Sequence, residues 1–148
     1  MNPEPVTILF AEDDDGHASL VQRNLERAGL VNSFLRVRDG QELLDCLRSG
    51  GASQGHVLDE AIVVLLDINM PRIDGIEALR QVKESPELRR VPVIMLTTTD
   101  DPRDIDRCYE LGCNVYITKP VDYDGFIDAI RRLGLFLQIV QRPRIGLP

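Results

Sequence analysis

Residues Ile62 to Leu66 form an unbroken apolar run that stops at Asp67. A strand with no polar residue on either face has to be covered on both. That is the demand of a parallel sheet clad in helices rather than of a half-solvated antiparallel one. In open sheets of this kind, chemistry gathers outside the carboxyl ends of the strands. An aspartate closing such a run stands where a reacting group is expected.

The rest of the chain alternates to match. Strands are expected at Val6 to Ala11, Phe34 to Val37, Ala61 to Leu66, Pro92 to Leu96 and Asn114 to Thr118. Pro92 is tolerable at the first position of its strand. Ala18, Val21, Leu25 and Ala28 recur at helical spacing, with Gly29 as the stop. Gln41 to Leu47 reads as a second helix. Ile76, Leu79, Arg80 and Lys83 mark a third, its apolar side packed and its cationic stems reaching solvent. Pro102 to Leu111 is a fourth, turning at Gly112. A last helix starts near Tyr123 and runs through Phe126, Ile127, Ile130 and Leu133. The stretch Ser49 to Gly55 is glycine-rich but follows a helix and lacks a phosphate-loop lysine, so it reads as surface loop. Five strands alternating with five helices predict an α/β fold, a doubly wound five-stranded parallel sheet with helices on both faces.

Composition narrows the function. With 148 residues and 43% apolar content, the chain has enough material for one domain with a substantial core. A net charge of -7, without a long basic stretch, argues against direct nucleic-acid binding. No apolar run approaches the length of a membrane span, and Met1 to Pro5 carries no leader pattern. Cys46, Cys108 and Cys113 are an odd set without close ligand spacing, and His17 and His56 make no recognisable metal set. Reduced packing cysteines in a cytoplasmic protein are the expectation. The domain is expected to span residues 5–141, with an irregular C-terminal arm at 142–148 and no output domain.

Glu12, Asp13, Asp14 and Asp15 close the first strand. If that strand neighbours the one ending at Asp67, two of these carboxylates approach it. A hard cation wants oxygen ligands, and Mg2+ keeps near-octahedral geometry with retained waters. Glu12, Asp13, Asp67 and the backbone carbonyl of Asn69 would make a partial shell. The same acids are also good helix-start residues, and a strand-ending aspartate can simply cap a turn. As a nucleophile, Asp67 would form an acyl phosphate while the metal and Lys119 neutralise phosphoryl oxygens. Lys119 follows the last strand and precedes Pro120, so it reads equally as a surface lysine; the Lys119–Pro120 bond is a candidate for the cis form. Thr97, Thr98 and Thr99 suit a strand by propensity, yet a hydroxyl there would reach a phosphoryl oxygen. Tyr116 is either an amphipathic sheet-edge ring or one that changes rotamer when its loop shifts.

These residues resemble, as an ordered set, the receiver domain of two-component response regulators, over about residues 5–133. The set is Glu12-Asp13, then Asp67-Ile68-Asn69-Met70-Pro71 with Asp74-Gly75, then Thr97, then Lys119-Pro120. The resemblance implies that Asp67 accepts phosphate from a phosphohistidine on a sensor histidine kinase. It implies Mg2+ held by Glu12, Asp13, Asp67 and the Asn69 carbonyl. Thr97 would be the switch hydroxyl, Lys119 the phosphate-contacting cation and Tyr116 the aromatic switch. Asn69 and Thr99 would flank the phosphoryl group and tune its lifetime, and the small Thr98 would leave the cleft accessible. Glu12 stands where the family more often has aspartate, a replacement within its pattern.

The loop around Gly50 to Glu60, Leu96 to Thr99, Tyr116 to Pro120 and the apolar tail resemble the stand-alone regulators paired with bacterial and cyanobacterial phytochrome kinases. The implied input is light, received by a separate bacteriophytochrome. Leu133, Phe136, Leu137 and Val140 are more apolar than a solvent-facing final helix needs, so a homodimer surface is expected there. Without an output domain, relay to a histidine phosphotransfer protein and a phosphate-sink role both stay open. The competing functions are a Mg2+-dependent phosphohydrolase and an unphosphorylated scaffold. The first usually needs an acid two residues after its nucleophile, where this chain has Asn69.

Overall fold

The computed structural model describes residues 7–27, 34–55 and 62–119, together with 124, 125, 127, 128, 131 and 132. Five parallel strands form one sheet: β1 (Thr7–Ala11), β2 (Phe34–Val37), β3 (Ile62–Leu66), β4 (Val93–Thr97) and β5 (Val115–Thr118), in the order β2-β1-β3-β4-β5. Four helices are described: α1 (Asp15–Arg27), α2 (Gly40–Arg48), α3 (Gly75–Glu84) and α4 (Pro102–Leu111). The six described positions between 124 and 132 are helical, in agreement with the expected last helix.

The apolar strands are buried on both faces, and their alternation sorts the core into two layers. Ile8, Phe10, Val63, Leu65, Ile94 and Leu96 pack with Ala18, Val21 and Leu25 of α1, and Ile127 closes over the same layer. On the other face Leu9, Ala11, Val64, Leu66 and Met95 meet residues of α2 and α3, with Cys108 of α4. The three cysteines are buried and free. Burial pushes the Cys108 thiol up to about 12, which makes it a packing group rather than a nucleophile.

An aspartate opens each of α1 to α4. The Asp14, Asp39, Asp74 and Asp101 carboxylates accept the backbone N–H of His17, Glu42, Glu77 and Arg103. Gly112 ends α4 at φ 106°, as its place after Leu111 suggested.

Several boundaries differ from expectation for local reasons. β4 runs from Val93 to Thr97 because Pro92 offers only its carbonyl, which accepts from Val64 N–H. β5 starts at Val115; the Asn114 side chain instead takes the Val93 N–H at 2.9 Å. Lys83 does not extend to solvent: its ammonium donates to the Arg89 and Val91 carbonyls at 3.1 and 2.7 Å. The surface loop at 49–55 contains a short 3-10 turn, Ala52–Gln54. Ala28, Gly29, His56 and Pro120 lie outside the described residues, as do the tail residues Leu133, Phe136, Leu137 and Val140 and the arm at 142–148.

Candidate functional site

The chain leaves β1 for β2 on one side and later enters β3 on the other, so the crevice at the carboxyl ends of β1 and β3 is the switch point of the sheet. Ala11 and Leu66 are paired across it, which sets the residues after them side by side. Glu12, Asp13 and Asp67 each place one carboxylate oxygen so that all three lie within 4.8 Å of one another. Lys119, arriving from β5, donates to Glu12 Oε1 and stands 3.8 Å from Asp67 Oδ2.

Glu12, Asp67 and Lys119 are buried, whereas Asp13 is exposed. Burial pushes the Glu12 carboxyl up to about 7; Asp67 adds to the rise and the Lys119 ammonium opposes it. Glu12 Oε2 is buried without a hydrogen-bond partner among the described residues. An orphaned oxygen on a carboxylate grouped with two further acids fits a divalent cation, because a hard ion supplies the missing partner and neutralises the cluster. Exposed Asp13 leaves room for the waters that Mg2+ retains.

The four acids after β1 divide their work. Glu12 and Asp13 enter the cluster, Asp14 caps α1, and Asp15 pairs with Arg36 and Arg38. The helix-start reading holds for Asp14, while Glu12 and Asp13 stand in the acidic cluster.

Asp67 is fixed by its backbone. Its N–H continues the ladder to the Ala11 carbonyl at 3.2 Å, and Oδ1 accepts the Ile68 N–H at 2.8 Å. Gly75 N–H bonds the Ile68 carbonyl at 2.8 Å, and a Cβ on Gly75 would fall 2.0 Å from the Asp67 carbonyl oxygen. The glycine is thus required by close approach. At the far end of the loop, Gly40 N–H bonds the Ile73 carbonyl, and Arg72 at φ 65° grips Asp39 through two nitrogens at 2.8 and 3.0 Å.

The threonines that close and follow β4 stand beside this group. Thr97 is fully buried and its hydroxyl accepts the Thr99 N–H at 3.4 Å. Asn69 Nδ2 donates to Thr99 Oγ1 at 3.2 Å, so the two expected flanking residues touch each other across the rim. Thr98 is exposed. The Tyr116 hydroxyl donates to the Thr99 carbonyl at 2.6 Å, and its backbone N–H donates to the Tyr109 hydroxyl at 3.0 Å. Tyr116 is therefore tied to the threonine loop rather than free at a sheet edge.

Sequence reasoning missed Arg36, Arg72 and Tyr109. An arginine on an edge strand reads as solvation, and nothing local says that Arg36 turns back onto the Glu12 carbonyl at 2.9 and 2.7 Å. Asp39 caps α2 just before the helical segment expected at Gln41 to Leu47, and no local pattern announces the Arg72 guanidinium that meets it.

Comparison with known proteins gives a consistent answer. A family model described as response regulator receiver domain matches residues 8–131. A receiver-domain structure from Rhodospirillum rubrum is 48% identical, covers 95% of this chain and 99% of that one, and has a TM-score of 0.86. Response regulator Rcp1 of Synechocystis sp. is 36% identical over 96% of this chain and 95% of its own length. The Mn2+-bound form of response regulator Rcp1 has a TM-score of 0.85 at 31% identity, covering 94% of this chain and 99% of that one. A phosphorylated cyanobacterial phytochrome response regulator, RcpA, is 31% identical with a TM-score of 0.84, covering 95% and 99%.

Proposed function

The chain belongs to the response regulator receiver domain family, and from that membership we propose that Asp67 accepts a phosphoryl group from the phosphohistidine of a sensor histidine kinase. The observation that carries this reading is the meeting of Glu12, Asp13, Asp67 and Lys119 at the switch point, with one Glu12 oxygen left without a hydrogen-bond partner among the described residues.

Glu12 and Asp13, with Asp67 and the Asn69 carbonyl, would hold Mg2+. When bound, Mg2+ supplies positive charge to the phosphoryl oxygens and to the crowded carboxylates. Asp67 attacks phosphorus through a carboxylate oxygen as the donor's N–P bond breaks, and the bonding electron pair returns to the imidazole. Lys119 stands close enough to shift from Glu12 toward a new phosphoryl oxygen on Asp67. Thr97 would give up the Thr99 N–H to bond that group. Its loop also carries the carbonyl held by Tyr116, so movement at the phosphoryl group reaches β5. Asn69, Thr98 and Thr99 at the rim would set how readily water reaches the acyl phosphate.

The kinase proposed as donor is a bacteriophytochrome, a reading supported by likeness to the cyanobacterial phytochrome response regulator RcpA and to the bacteriophytochrome response regulators RtBRR and AtBRR. The receiver domain is taken to span residues 5–141, and Leu133, Phe136, Leu137 and Val140 remain the proposed homodimer surface. Transfer of label from a phosphorylated phytochrome kinase, with and without a chelator, tests the assignment. Rapid magnesium-dependent transfer, faster than from an unrelated histidine kinase, is expected. Transfer from the unrelated kinase alone would overturn the phytochrome pairing.

A phosphohydrolase is disfavoured by Asn69, which supplies no acid two residues after Asp67. Incubation with p-nitrophenyl phosphate is expected to give no turnover beyond a single equivalent.

A further inference from the structure

β1 ends at Ala11, where its register with β2 also ends. The Glu12 N–H still reaches the Val37 carbonyl at 3.0 Å, but the Glu12 carbonyl lies beyond the ladder. Arg36 of β2 takes it, with Nε at 2.9 Å and Nη2 at 2.7 Å, while Nη1 bonds the Asp15 carboxylate. The Arg36 side chain is largely enclosed, with 19% of it exposed. Residue 12 is therefore held on both sides by β2, through its N–H and through its carbonyl, which belong to successive peptide groups. Because a peptide is planar, fixing the Glu12 carbonyl also fixes the Asp13 nitrogen and the direction in which the chain leaves it.

We propose that Arg36 is a positioning residue for the cation site: its grip on the Glu12 carbonyl sets the Glu12–Asp13 peptide, and so presents both carboxylates for Mg2+. This rests on the magnesium-dependent acceptor reading above. Carboxylates ordered before binding lose less freedom when the ion arrives, and residues that orient metal ligands commonly govern affinity. Asp15 holds the opposite edge of the guanidinium and keeps its fork turned to the carbonyl.

Charge alone predicts the reverse. Arg36 is a cation beside an acidic site, so its removal would by Coulomb's law tighten Mg2+ binding. Loss of an arginine that merely stabilised the edge strand would lower the unfolding temperature equally with and without Mg2+.

The test is the Mg2+ dissociation constant of the full chain, read by amide NMR titration well below the unfolding temperature of each variant. Arg36→Gln cannot place two donors on one carbonyl and is expected to bind roughly 10-fold more weakly. Arg36→Lys keeps the charge but not the fork, and is expected to fall between the parent and Arg36→Gln. Parent-like or tighter binding by Arg36→Gln overturns the proposal. Should that variant fail to fold, parent-like affinity in Arg36→Lys overturns it and weakened affinity supports it. A parent chain that binds no Mg2+ would instead sink the acceptor reading on which the proposal stands.

Discussion

Glu12 and Asp13 are neighbours in sequence with opposite physical circumstances, and each makes a separate prediction. Glu12 is 1% exposed and paired with Lys119. Lys119→Met would leave its carboxyl buried and unpaired, so a loss on the order of 3 kcal/mol in urea-denaturation stability is expected. Unchanged stability would mean that the ion pair contributes nothing. Asp13 is exposed and adds charge to a cluster already holding Glu12 and Asp67. Asp13→Asn should therefore abolish saturable Mg2+ binding while raising the metal-free unfolding temperature by roughly 2–4 °C. A fall in that temperature would show that Asp13 contributes to the fold rather than strains it.

At the scale of elements, the loop from Asp67 to Gly75 is held at both ends, and its two clamps fail in different ways. Gly75→Ala places a methyl 2.0 Å from the Asp67 carbonyl oxygen, so the loop or α3 has to move. A loss of more than about 2 kcal/mol, with slowed phosphorylation, is expected. Parent-like stability and rate would show that the loop yields freely. Arg72 carries two separable effects, the grip on Asp39 and a left-handed backbone that non-glycine residues adopt reluctantly. Arg72→Ala should cost about 1–2 kcal/mol through the lost grip, and Arg72→Gly should recover part of it by relieving the backbone. Equal stability of the two variants would contradict that division.

These clamps also mark how far the sequence could be read. Unbroken apolar runs and helical spacing fixed the strands and helices to within a few residues, because burial on two faces leaves few alternatives. Asp67, Glu12, Asp13 and Lys119 were legible for a related reason: strand ends in a parallel sheet converge whatever the loops do. Arg36, Arg72 and Tyr109 were not legible. Each acts through a backbone group or a side chain distant in sequence, and no local pattern encodes such a meeting. Lys83 failed in the same way, since free carbonyls near a helix end leave no trace in residue types.

Across the whole molecule, hydrogen bonds join the rim of the site to β5 and to α4. Asn69 meets the Thr99 side chain, Tyr116 holds the Thr99 carbonyl, and Tyr109 accepts the Tyr116 N–H from the exposed side of α4. Phosphorylation should therefore shift the amides of β5 and α4, and Tyr116→Phe should shrink those shifts while leaving the acceptor competent. Undiminished shifts in Tyr116→Phe would place the coupling elsewhere. Acceptance of a phosphoryl group by Asp67 is more basic than this coupling and does not depend on it. The direct measurement is intact mass after incubation with Mg2+ and acetyl phosphate or a phosphorylated sensor kinase, beside Asp67→Asn. One labile phosphoryl group on the parent and none on the variant is the predicted result. A folded, Mg2+-binding parent that stays unmodified with every competent donor would contradict it.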